Sequence, residues 1–256
     1  ARAVTSSRDR RRPSGSGMSG ATLLASLVAA LANVIGALVV AVRRNWSVRA
    51  LELMIALSAG FMLSVAIADI IPEAISQGGK LAGAVVLTGF VLVHVTQHVF
   101  VRHFHFGEET HVVARNVAAS ALVGLLLHTL IDGVAIASAY RVSTSLGWLV
   151  FWAIALHKLP EGLAISSLVL AAGGTRSVAI GAAALLGCAT VAGVIASSTF
   201  MLLEQHGLAL AGGVTVYVGA SNLIPEFQGK PGWRHSAMFV VGCALYVMAR
   251  VVFWPA

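Results

Sequence analysis

Apolar residues run along this chain in long stretches, broken by short clusters of Gly, Pro, Ser and Arg. A helix needs about 20 residues to cross a hydrocarbon core of ~30 Å. Stretches of that length can be drawn eight times, near residues 19–42, 50–75, 81–101, 114–139, 146–171, 178–203, 208–228 and 236–253. A transmembrane barrel would instead alternate polar and apolar positions in segments of about 10 residues, and no such alternation is present. The pattern predicts an all-α polytopic membrane protein with eight transmembrane helices. Gly and Ala within the stretches allow close helix approach, a main source of cohesion where lipid is as apolar as the core.

The ends of the stretches agree with this reading. Trp46, Trp148, Trp152, Trp233 and Trp254 fall at or near them, where indole rings prefer the membrane interface. Gly173-Gly174 and Gly229-Lys230-Pro231-Gly232 read as turns, built from residues that interrupt helices. Composition then excludes a soluble globular domain: 58% of residues are hydrophobic and 11% charged, with a mean hydropathy of +0.88. With the amino terminus outside, the inner loops hold Arg43, Arg44, Arg49, Arg102, Arg115, Arg176, Lys230 and Arg234, against Lys80, Arg141 and Arg250 outside. Positive charge favours the cytoplasm. The basic stretch 1–17, rich in Arg, Ser and Gly, reads as a disordered tail, native or a start-site artefact, and no signal peptide is expected. Residues 18–256 form the single transmembrane domain. The net charge of +7 is loop and tail arginine, so no nucleic-acid partner is expected. Cys188 and Cys243 fall mid-span and read as small packing residues without a disulfide.

One short pattern occurs twice, 29 residues apart: His128-Thr-Leu-Ile-Asp132-Gly133-Val-Ala-Ile and His157-Lys-Leu-Pro-Glu161-Gly162-Leu-Ala-Ile. Ionisable side chains inside apolar spans are expensive and mark functional sites by default. In each copy the imidazole and carboxylate are four apart, on one helix face. Two such faces turned together form a metal cage. Imidazole nitrogen with carboxylate oxygen suits Zn²⁺, Fe²⁺, Mn²⁺ or Co²⁺, whereas Ca²⁺ and Mg²⁺ sites are built from oxygens. The two carboxylates neutralise a divalent cation where an uncompensated charge is costly. Pro160 cannot donate to the carbonyl of Leu156, which makes that oxygen a further candidate ligand.

A second echo lies at the flanks: Asp69-Ile-Ile-Pro72-Glu73 ends the second span and Asn222-Leu-Ile-Pro225-Glu226 the seventh. With eight crossings these segments run in opposite directions, as do the fourth and fifth spans. That is the pattern of inverted repeats, which place a substrate site near the midplane. The expected arrangement is three helices, a central pair, and three more.

The motif pair, in this eight-span setting with Ala59-Gly-Phe-Met62-Leu in the second span, resembles the ZIP family of divalent metal transporters (zinc/iron permeases). The resemblance implies transport of a divalent transition metal to the cytosol, zinc as the preferred guess with Fe, Mn, Co and Cd as others, through a single midplane site of His128, Asp132, His157 and Glu161. It implies a multi-pass protein of the cell membrane, a bacterial inner or plasma membrane, that is not an enzyme. No cofactor is implied beyond the transported ion; the bilayer and the ion are the expected partners, and a homodimer is one assembly to test. The chain departs from the family at the residue after each motif's first His, where many members carry Asn or Asp: here Thr129 and Lys158 stand. Span 6 also lacks the family's Glu, having Cys188, Thr190, Ser197 and Ser198. A second metal site is therefore not expected, and the Lys158 ammonium is expected to take the second cation's place, pairing with Asp132 or Glu161.

Further candidates for the metal route are Met62, as a thioether, with Thr129 and Lys158, and Asp69 with Glu73 near the outer end of span 2; Glu226 has a corresponding place in span 7. His94 and His98 lead into a loop with His103, His105, Glu108, Glu109 and His111, a tract that either binds metal at the exit or is simply solvated. The competing class is a membrane-embedded zinc hydrolase, which keeps an open coordination position for an activated water; a structural or sensing metal protein is a third option.

Overall fold

The computed structural model describes residues 20–42, 48–100 and 115–253. The basic tail, Trp46, Trp254, Arg43, Arg44, Arg102 and the loop residues His103, His105, Glu108, Glu109 and His111 lie outside them. The described residues are helical with short links and no strand. Helix α1 is Gly20–Val42. Helix α2, Val48–Val65, runs through a π-helical turn at Ala66–Ile70 into α3, Ile71–Gly78. Gly79, with φ of 58°, reverses the chain in a backbone region open to glycine. Helix α4, Ala82–Val95, follows and ends in a π turn at Thr96–Phe100. Then come α5, Arg115–Val142, and α6, Thr144–Ala171. Helix α7 is Arg176–Thr199, α8 is Met201–Tyr217 with a π turn at Val218–Leu223, and α9 is Arg234–Phe253. Among the described residues, six helical stretches are long and apolar enough to cross a membrane.

Local chemistry sets several of these ends. Ser143 accepts a hydrogen bond from the Leu146 N–H at the start of α6, and Thr175 from that of Val178 at the start of α7, each satisfying a donor the helix itself cannot. The chain break between α7 and α8 differs from the expected one near residues 204–207. It falls at Phe200, whose backbone is extended. Glu204, Gln205 and His206 are polar because they form the exposed and half-exposed start of a helix. Arg141 fixes this corner, donating to the Ser197 carbonyl and hydroxyl at 2.7 Å and to the Leu203 carbonyl at 3.3 Å. Trp148 and Trp152 point outward from the first turns of α6. Both cysteines are free; Cys188, expected to be a packing residue, is exposed.

Glycine sets the closest helix approaches, and these come in matched pairs. Gly162 of α6 lies on the Asn33 carbonyl of α1, as Gly133 of α5 lies on that of Thr190 in α7. Gly36 meets Leu159 as Gly193 meets Leu130. Gly60 of α2 lies on Phe239 of α9 as Gly213 of α8 lies on Val86 of α4, and Gly242 meets Leu57 as Gly89 meets Leu210. Within each correspondence the sequence offset between mates is constant. A Cβ at any of these positions would run into backbone that cannot move aside. The mates extend to hydrogen bonding. The Ile71 N–H bonds to the Ala66 carbonyl and the Ile224 N–H to that of Gly219, both five residues back and both just before a proline. Such π turns cluster at functional sites.

Polar contacts do not follow this pairing. On the α2–α9 seam, Glu52 pairs with Lys230 and with His235 at 3.0 Å, while Asp69 accepts from Tyr246 at 2.7 Å and pairs with Arg250 at 3.2 Å. The mates on the α8–α4 seam are Gln205, Gln77 and Ala82, and Asn222, Val93 and Gln97. One seam is thus clamped by charge at both ends, whereas the other has uncharged residues at the corresponding positions and joins Tyr217 to His94 and His98.

Candidate metal centre

Helices α5 and α6 lie against each other at the middle of the molecule and bring the repeated motif face to face. His128, Asp132, His157 and Glu161 are all buried, and one ligand atom from each lies within 4.8 Å of the others. Among the described residues this is the His, Cys, Asp and Glu group that can hold an ion. The Nε2 atoms of His128 and His157 each stand 3.3 Å from Asp132 Oδ2. A tetrahedral ion with bonds of about 2.0–2.1 Å has ligand–ligand edges of about 3.3–3.4 Å, and the two edges from Asp132 to the imidazoles already have that length.

The backbone also sets which nitrogen of a neutral His157 faces the cage. Its Nδ1 is 2.9 Å from the Ala153 carbonyl, which can only accept, so Nδ1 carries a proton, and in the neutral imidazole Nε2 then turns its lone pair inward. This is the usual way an outer partner prepares an imidazole for metal. A lone pair facing a carboxylate oxygen at this distance is repulsive unless a cation or proton lies between them.

Lys158 supplies a cation at the edge of the cage. Its side chain is fully buried, with Nζ 2.7 Å from Asp132 Oδ2, 2.7 Å from Glu161 Oε2 and 3.1 Å from Thr129 Oγ1. An ammonium has three donors, and all three are used. The Thr129 hydroxyl in turn donates to Glu161 Oε1 at 2.7 Å. Thr129 and Lys158 are mates in the repeated motif, so the pair lies across the local axis from one another. Unpaired, a lysine this deep would cost several kcal/mol; here both carboxylates hold it.

Other residues singled out from the sequence lie elsewhere. Met62 is fully buried in the apolar core. Asp69 is held on the α2–α9 seam, and Glu73 accepts from Gln77 on α3 at 2.7 Å. Glu226 is buried near the end of α8's π turn. His94 and His98 stack with ring centroids 4.1 Å apart beside Tyr217, outside the cage. The Leu156 carbonyl, a candidate ligand once Pro160 is present, accepts instead from the Ser58 hydroxyl at 3.0 Å; a buried carbonyl freed by proline takes a donor from a neighbouring helix.

A narrow cleft reaches the cage from one end, lined by His128, His157 and Glu161 together with Leu125, Val218 and Asn222, among others. Asn222 was visible in sequence only as an echo of Asp69. That echo is the signal that places it: the π turn carries its amide to the cleft wall.

Long apolar helices that enclose a buried cage of imidazoles and carboxylates define a polytopic membrane protein with a group able to hold a metal ion at its centre. Residues 102–249 match the model of the ZIP zinc transporter family. The chain belongs to that family. It is 30% identical over 160 residues to zinc transporter ZIP9-B of Xenopus laevis, covering 57% of this chain and 53% of that protein. It is 26% identical over 236 residues to zinc transporter ZIP9 of Xenopus tropicalis, covering 72% and 78%, and 28% identical over 254 residues to zinc transporter ZIP9 of Micropogonias undulatus, covering 75% and 80%. The match therefore spans about half of the first relative and more than three quarters of the other two.

Proposed function

We propose that this chain carries divalent transition-metal ions, zinc foremost, across a cell membrane through the single cage of His128, Asp132, His157 and Glu161. The observation that carries the reading is the cage itself: two imidazoles and two carboxylates, buried on facing helices with one ligand atom of each within 4.8 Å of the others, and a cleft leading to one side. Membership in a transporter family makes the protein a carrier and not a hydrolase. An arrangement of eight crossings as three, two and three inverted helices is supported by the matched glycine contacts and paired π turns. In the orientation favoured by loop charge, the cleft opens toward the cytosol, since it lies on the side of Leu125 in α5 and Ala164 in α6. It is the release route in this reading.

Competitive uptake of Zn²⁺, Fe²⁺, Mn²⁺ and Cd²⁺ into proteoliposomes tests the proposal. Directional, saturable zinc uptake that is lost in His128→Ala is the expected result. Absence of flux for every ion from a folded protein that binds zinc would overturn it.

A further inference from the structure

We propose that Lys158 is a fixed counter-cation whose role is to let the empty cage close, so that the carrier can return without cargo. This rests on the transport reading above and adds a role for a residue that is not a metal ligand. The geometry places the ammonium in contact with both carboxylates at 2.7 Å, with its third donor on Thr129 and its side chain fully buried. It therefore cannot leave with the ion, and it has no exposed path to water.

Formal charge gives the consequence. With neutral imidazoles, Asp132, Glu161 and Lys158 sum to one negative charge, and a bound divalent ion turns this into one positive charge. Without the lysine the same two states would carry two negative charges and none. The cost of sealing charge in an apolar medium grows with its square, so the empty state would cost about four times a single charge and the loaded state almost nothing. Lys158 evens the two. The loaded state is penalised, which favours release, and the empty state is relieved, which allows closure and return.

A carrier that lacks this charge should still exchange ions, because exchange uses only loaded half-cycles. It should fail at net uptake, which needs the empty return. The test compares two fluxes in proteoliposomes for the wild type, Lys158→Met and Lys158→Gln: uptake of labelled zinc into empty vesicles, and exchange of labelled zinc into zinc-loaded vesicles. The ratio of exchange to net uptake does not depend on how much protein folds. It is expected to rise at least tenfold in both variants, with zinc bound at least tenfold more tightly. A wild-type ratio in either variant overturns the proposal. If a variant shows neither flux, its zinc affinity decides: tighter binding supports the counter-charge role, and equal or weaker binding overturns it. A wild-type protein with neither flux would contradict the transport reading instead.

Discussion

The two sides of the cage are built from corresponding residues and are in different states. On one side Leu125, Asn222 and Leu223 line a cleft and are partly exposed. Their mates on the other side, Ile154, Asp69 and Ile70, are 4%, 6% and 1% exposed. Val65, Ile70, Ile131, Ala135, Ile154 and Leu208, which correspond to cleft-lining positions, pack into one apolar core. The same fold elements thus make a vestibule at one end and a plug at the other. Sequence differences follow this division: the plug side has β-branched Ile154 where the cleft has Leu125, and Asp69 is turned away by Tyr246 and Arg250 while Asn222 faces the cleft. Opening the plugged side would require parting an apolar interface.

Removing the element both sides share should have the largest effect. His128→Ala or Glu161→Ala is expected to lower zinc uptake about 100-fold or more, since losing even an outer partner of a metal ligand costs up to that much. Glu161→Ala also strips Lys158 of one carboxylate. Uptake normalised to membrane abundance is the measurement, and wild-type rates in either variant would refute the cage.

Next come the glycines that set the paired helix contacts. Gly133→Ala and Gly162→Ala each place a Cβ against backbone of a neighbouring helix, and each is expected to cost about 1–3 kcal/mol. Thermal unfolding in detergent should show similar losses for the two, because their surroundings match. A large loss in one and none in the other would break the correspondence between halves.

A difference of similar size separates plug from cleft. Ile154→Ala leaves a cavity in a packed core and should cost about 2–4 kcal/mol, whereas Leu125→Ala at the cleft wall should cost under about 1 kcal/mol. Equal losses would mean that the two sides are equally packed. The smallest change is expected on the clamped seam: Tyr246→Phe removes one hydrogen bond to Asp69, worth about 1 kcal/mol, and should lower the unfolding temperature slightly without altering zinc affinity.

Much of this architecture could be read from the chain, for identifiable reasons. A long apolar run has few alternatives to a helix in lipid, and a His and an acid four apart must share a face, so the helices and the cage residues were legible. The Asp69 and Asn222 echo was also legible, but its π turns were not, because a bond to the fifth residue back is chosen by neighbouring helices as well as by the proline ahead. The place of Lys158 could be framed in advance; that it spans both carboxylates depends on the distance between α5 and α6, which glycine contacts set. Ser58 on the Leu156 carbonyl and Arg141 at the α7–α8 corner were invisible, since each bond joins residues far apart in sequence. The break at Phe200 was misplaced because polarity at 204–206 looks the same in a loop and at an exposed helix start.

The difference between the two sides is tested most directly by the reactivity of matched cysteines. In a background with Cys188 and Cys243 replaced by Ser, Leu223→Cys and its mate Ile70→Cys would be treated with a membrane-impermeant thiol reagent from each side of oriented vesicles. Leu223→Cys should react from one side at least tenfold faster than Ile70→Cys reacts from either. Equal reactivity of the pair, or faster labelling of Ile70→Cys, would contradict a vestibule on one side of the cage and a plug on the other.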